Sequence, residues 1–188
     1  MEIRQTRIPE VLIISPLKHG DHRGFFSETY NSSTMQQMGV DISFVQDNQS
    51  LSGAAHTLRG LHYQAPPFAQ DKLVRVIRGA VLDVAVDIRR GSPTFGKHVA
   101  EIISAQEWNQ ILVPKGFAHG FITLEPNTEV LYKVSNYYAP KFDFGIKWND
   151  PKLGIEWGAE VANVTLSEKD QRQPMLSEIE SPFEYEGK

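Results

Sequence analysis

An all-β barrel or sandwich is the fold class this sequence predicts, and three observations predict it. Short apolar runs recur along the whole chain, separated by Gly, Pro, Asn and Asp. Within Ala80–Arg89, Leu82, Val84, Val86 and Ile88 alternate with Asp83, Ala85 and Asp87, which is the period of two of a strand. Helical periodicity is scarce, and no internal repeat, linker or low-complexity stretch divides the 188 residues.

Taken in order, Val11–Ser15, Gly24–Tyr30 and Ser43–Ser50 read as early strands. Ser32–Met38 reads as one or two helical turns, with Asn31 or Ser32 as N-cap. Lys72–Ile77, a turn at Arg78-Gly79, and Ala80–Arg89 read as the clearest hairpin. Val99–Ser104, Gln110–Val113, Gly120–Leu124 and Glu129–Tyr137 continue the series. The whole chain, 1–188, is expected to form one domain, with Ser181–Lys188 as a loosely held tail. The ordinary reading of Asp83 and Asp87 is a solvated face of a half-buried sheet; a barrel with a polar interior would reverse it.

Composition narrows the function classes. There is no cysteine, so a disulfide framework, a thiol nucleophile and a cysteine zinc site are excluded. A net charge of −4 argues against general nucleic-acid binding, which wants a basic face. No stretch approaches the length of a membrane span, and no signal peptide is visible behind Met1-Glu2-Ile3-Arg4-Gln5, so a soluble, cytoplasmic protein is expected. An anionic small molecule remains a possible partner if Arg23, Arg59, Lys72 and Lys169 cluster.

The most informative stretch is Leu58-Arg59-Gly60-Leu61-His62-Tyr63-Gln64, followed by Lys72 and, much later, Leu131-Tyr132-Lys133. It places an imidazole, an ammonium and a phenol on neighbouring strands. A base, an oxyanion stabiliser and a proton donor are what a carbon-acid isomerase needs. Each residue also has an ordinary reading. A lone histidine at a strand end is usually satisfied by a carbonyl, and a tyrosine in Val130–Val134 is usually core. The sequence alone leaves Asp170 a charged loop residue.

With Asp21–Glu28 upstream and Leu166-Ser167-Glu168-Lys169-Asp170 downstream, the chain resembles the dTDP-4-dehydrorhamnose 3,5-epimerases, from about Ile14 to Pro182. The resemblance implies a cupin-type double-stranded β-helix, a jelly-roll barrel with a few short helices. It implies His62 as general base, Tyr132 as general acid, Asp170 as the carboxylate that orients His62, and Lys72 as the enolate stabiliser. It assigns substrate binding to Arg23, Glu28, Gln46, Asn48, Arg59, His119, Tyr138, Asp143 and Lys169. Tyr138 falls among the aromatics near the nucleobase, and the ordinary alternative for it is a strand-end surface aromatic. A dTDP-sugar is the implied substrate. A homodimer is implied too, with the N-terminal region contributing to the partner's site.

Cupins commonly carry metal on His-x-His followed by Glu, and on Pro-x-Gly-x-x-His. Pro114-Lys115-Gly116-Phe117-Ala118-His119 resembles the second motif and His62 the first histidine. Gln64 stands where the second histidine would be, and Lys72 where the Glu would be. An ammonium offers a metal no lone pair and a repelling charge, so neither a metal nor another cofactor is expected. Three alternatives remain at this point: a C3-only epimerase of a related deoxysugar, a metal-dependent cupin enzyme, and a non-catalytic nucleotide-sugar binding module.

Overall fold

The computed structural model describes residues 1–159 and 163–187. Among them the strands are β1 (Glu2–Gln5), β2 (Leu12–Ser15), β3 (His19–Asp21), β4 (Gly24–Phe26), β5 (Gln46–Ser52), β6 (Leu58–Gln64) and β7 (Lys72–Arg78). They continue as β8 (Ala80–Asp87), β9 (His98–Ser104), β10 (Gln110–Val113), β11 (Phe117–Thr123), β12 (Thr128–Val134) and β13 (Asp143–Gly145). Two short helices, α1 (Ser32–Gln37) and α2 (Glu168–Gln171), complete the regular structure along with brief 3-10 turns. Asn31 caps α1 by accepting from the Thr34 N–H.

Eleven of these strands form two antiparallel sheets, ordered β1-β2-β10-β7-β12-β5 and β13-β6-β11-β8-β9, and β3 and β4 pair as a separate hairpin. The two sheets close on a shared apolar core of Ile13, Val74, Val76, Ile111 and Val130 from the first sheet and Val81, Ala85, Val99, Ile103, Phe117 and Phe121 from the second. This is the jelly-roll expected. Both sheets are also covered outside. Met35 and Val40 pack with Ile14, Leu73 and Leu112 behind the first sheet. Trp148, Leu153, Trp157, Leu176 and Phe183 pack with Leu58, Leu61, Val84, Val86 and Ile88 behind the second.

Strand pairing and that outer layer correct four expectations. The first is the hairpin: β7 pairs with β10 and β12, whereas β8 pairs with β11 and β9. The Arg78-Gly79 turn is therefore a corner between sheets. Gly79 has φ 78°, and a Cβ there would lie 2.4 Å from Thr128 Oγ1, so this corner requires glycine. Sequence alternation fixes a strand but not its pairing partner, which depends on long-range closure.

The second concerns Asp83 and Asp87. Both are fully buried, because the Leu82–Ile88 face meets the C-terminal layer and the aspartate face turns into the barrel. The third is the tail. Phe183 is buried in the outer cluster, Arg90 N–H donates to Phe183 O, and Tyr185 N–H donates to Arg90 O. The segment from Ser181 to Tyr185 is pinned rather than loose; residue 188 lies outside the described residues. The early strand expected over Gly24–Tyr30 is also shorter, ending at Phe26.

Candidate active site

Strand parity decides which side chains enter the barrel. On β7, Val74 and Val76 face the core, so Lys72 does too. On β12 the core-facing set is Val130 and Tyr132, and Asn48 of β5 lies opposite Tyr132 on that face. Lys133 turns away and pairs with Asp47 at 2.9 Å. On β11, Phe117 and Phe121 bracket His119, and on β8, Val81 and Ala85 bracket Asp83.

β6 needs an irregularity to join this set. His119 pairs with His62, but Phe121 pairs with Arg59, so β6 carries one extra residue between them. Leu58 and Leu61, three apart, consequently share the outer face, and Arg59 and His62 share the inner one. The two backbones come very close here: a Cβ on Gly60 would lie 2.5 Å from Gly120 Cα. Glycine at both positions makes the bulge possible.

Asp170 meets His62 from the C-terminal segment. Its Oδ1 lies 2.5 Å from His62 Nε2, and its Oδ2 accepts from Ser167 Oγ at 2.7 Å. Ser167 also caps α2, accepting from Asp170 N–H. Burial pushes the Asp170 carboxyl up, but the hydrogen bond and charge of His62, the Ser167 hydroxyl and nearby Lys169 outweigh it, and the net shift is downward. The carboxylate therefore stays ionised and accepts a hydrogen bond from Nε2–H, which leaves Nδ1 of His62 as the basic nitrogen.

Lys72 has no hydrogen-bond or ion-pair partner among the described residues. Burial lowers its ammonium from 10.5 to about 8, opposed by the charges of Asp143 and Asp83 and assisted by Lys169. Tyr132 is half-buried, and burial raises its phenol; Arg59 opposes this and Asp143 adds to it. The hydroxyl is thus a proton donor throughout the neutral range.

A rim surrounds these groups. Asp143 Oδ2 accepts from Tyr138 OH at 2.9 Å and from Lys169 Nζ at 2.6 Å. Gln46 Nε2 donates to Asn48 Oδ1 at 2.9 Å, and Gln46 Oε1 accepts from Tyr138 N–H. Arg59 is tethered to Ser52 Oγ and Leu51 O. Arg23 and Glu28 stand apart: Arg23 bonds Asp21 within the exposed β3–β4 hairpin, and Glu28 is exposed beyond it.

Asp83 is the residue that sequence reasoning passed over. Both its oxygens lie 2.9 Å from Nε2 of His119, whose other ring nitrogen has no partner among the described residues. The signal was present in the β8 alternation, but it pointed both ways until the outer layer was known. His62 and His119 each keep Nδ1 free of partners among the described residues while Nε2 meets a carboxylate, but two imidazoles are too few for a divalent ion, and the Gln64 amide that stands in a third ligand's place is held by main chain. Among the described residues no three His, Cys, Asp or Glu group together, and the ammonium of Lys72 stands among them. The residues present do not fit a metal.

A family profile described as dTDP-4-dehydrorhamnose 3,5-epimerase matches residues 5–178. The chain belongs to that family. It is 48% identical over 185 residues to the dTDP-4-dehydrorhamnose 3,5-epimerase of Sinorhizobium fredii, covering 98% of this chain and 94% of the relative. It is 48% identical over 180 residues to the Escherichia coli enzyme of the same name, covering 95% and 96%. Among solved structures, the dTDP-6-deoxy-D-glucose-3,5-epimerase of Legionella pneumophila in complex with dTDP-4-keto-L-rhamnose superposes with a TM-score of 0.94 at 43% identity, covering 99% of each chain. Family membership thus rests on nearly the full length, site strands included.

Proposed function

We propose that this protein is a dTDP-4-dehydrorhamnose 3,5-epimerase, which inverts carbons 3 and 5 of dTDP-4-keto-6-deoxy-D-glucose. The observation that carries the reading is the His62–Asp170 pair in a barrel interior shared with Tyr132 of the other sheet and with Lys72, which has no partner among the described residues. Both carbons flank the 4-keto group, so their protons become acidic once the enolate oxygen is stabilised. His62 Nδ1 removes the proton while Asp170 steadies the imidazolium. The Lys72 ammonium sits against the developing O4 anion, and the Tyr132 hydroxyl returns a proton to the opposite face. No electrons leave the substrate, so the reaction needs no redox partner.

Substrate binding follows the rim. Arg59 meets the diphosphate, for which its planar fork is suited. His119, Gln46 and Asn48 meet polar groups of the nucleotide-sugar, Tyr138 stacks on the base, and Asp143 and Lys169 set the mouth. Arg23 and Glu28 do not reach this interior, and Phe25 and Phe26 beside them are 56% and 71% exposed. A homodimer resolves both facts: the hairpin covers its apolar face on the partner and brings Arg23 and Glu28 to the partner's nucleotide. The chain 1–188 works as one domain in the cytoplasm, where nucleotide-sugars are made.

The test is incubation with dTDP-4-keto-6-deoxyglucose in deuterated water, followed by NMR of the sugar protons. Deuterium is expected at carbons 3 and 5. Label at carbon 3 alone would make the protein a single epimerase, and none at either carbon would overturn the reading.

A further inference from the structure

Gln64 enters the sequence argument only as the histidine a metal motif lacks, and the proton-transfer scheme gives it nothing to do. Its surroundings give it a task. It is 5% exposed and ends β6 two residues after His62 on the same face. Its Nε2 donates to Phe68 O at 2.7 Å and to Tyr137 O at 3.1 Å, and its Oε1 accepts from Ala139 N–H at 2.7 Å. All three partners are main-chain groups, and two of them flank Tyr138.

Among uncharged side chains of this length, only a primary amide supplies two N–H donors and an acceptor in one plane. Glutamate would turn an oxygen toward two carbonyls. Histidine could not reproduce the pattern, and neither could methionine. Gln46 adds a weaker tie through Tyr138 N–H at 3.1 Å, and Gln70 holds Asn136 O at 2.8 Å. The Asn136–Ala139 segment is thus stapled to the barrel by amides, with Gln64 making the largest number of bonds.

We propose that Gln64 is a positioning residue that presets Tyr138 for the nucleobase, coupling the strand that carries His62 to the nucleotide subsite. The proposal rests on the assignment of Tyr138 to the base. Because Gln64 does not touch the reacting atoms, its loss acts on nucleotide affinity rather than on proton transfer.

The experiment measures dTDP binding by calorimetry, and kcat and KM by the NMR assay, for wild type, Gln64→Glu and Gln64→Met. Both variants are expected to weaken dTDP binding about tenfold, as loss of one or two net hydrogen bonds would, and to raise KM similarly while kcat changes little. In a Tyr138→Ala background, Gln64→Met is expected to cost no further dTDP affinity, since the group it positions is gone. A merely structural Gln64 would give additive losses, and that result would overturn the proposal. So would wild-type affinity in both variants, or a fall in kcat at unchanged affinity. If neither variant folds, hydrogen exchange in the wild type decides: an Ala139 amide protected without ligand is expected, and an unprotected one overturns the staple. Wild-type protein that fails to bind dTDP would bring down the nucleotide reading itself, and the proposal with it.

Discussion

His62 and His119 face each other across adjacent antiparallel strands, and each presents its Nε2 to a buried carboxylate, Asp170 in one case and Asp83 in the other. The two pairs have the same chemistry but different addresses. Asp170 comes from the C-terminal segment and Asp83 from the barrel wall.

The pairs are predicted to respond unequally to the same substitution. Asp170→Asn replaces an acceptor with a donor and inverts the His62 tautomer, so turnover should fall by about 10³-fold or more with dTDP affinity kept. Asp83→Asn disturbs His119, to which the proposed mechanism gives a binding role and no proton transfer, so the loss should be about tenfold and lie mainly in KM. Steady-state kinetics on both variants checks the order. Equal losses would argue that His119 shares the proton transfer.

Lys72 is predicted to set the alkaline limit. In the proposed mechanism its ammonium stabilises the enolate, and that form is lost as pH rises through about 8. The expected profile of kcat/KM falls by one proton above that point, and a rate that stays flat to pH 10 would refute the role. Stability runs the other way. The unfolded chain keeps this proton up to about 10.5, so between about 8 and 10.5 the group makes stability increase with pH. Lys72→Met should remove that slope, abolish most activity, and leave the melting temperature unchanged or higher.

Tyr132→Phe keeps the ring that packs beside Val130 and removes only the hydroxyl. Net epimerisation should drop by about 10²-fold or more. His62 should still exchange substrate protons with deuterated water at one carbon or both. NMR separates exchange from inversion, and full epimerase activity would exclude the phenol as donor.

The hairpin yields a prediction about assembly. Phe26→Asp places a charge on its most exposed apolar residue, 71% accessible. Sedimentation should show dimer converting to monomer, with KM rising as the partner's Arg23 is withdrawn. A monomeric wild type, or an unaffected dimer, would count against the arrangement.

How much of this was legible from sequence depended on distance. Local signals carried well: the Asn31 cap, the strand at Gln110–Val113 and the motif around His62 are where they were expected. The Arg78-Gly79 corner was misjudged because a turn joining two sheets and a turn joining two hairpin arms look alike in sequence. Asp83 was missed for a related reason. Polar alternation marks a strand's two faces, but which one meets water is set by Trp148, Trp157 and Phe183, far along the chain. Arg59 and His62 share a face only through the register shift opposite Gly120, which three residues of spacing would not suggest. The tail looked free because its anchors, Phe183 and the Arg90 main chain, are single contacts rather than a pattern.

The Asp170–His62 contact spans 108 residues of chain. The segment that brings Asp170 also supplies the layer that hides the back of the second sheet. During synthesis, then, a ribosome-bound chain can complete every strand and still hold an imidazole with no carboxylate behind it. If Asp170 orients His62 as proposed, a chain cut before Ser167 is expected to be both less stable and inactive, since it loses that carboxylate and part of the covering layer together.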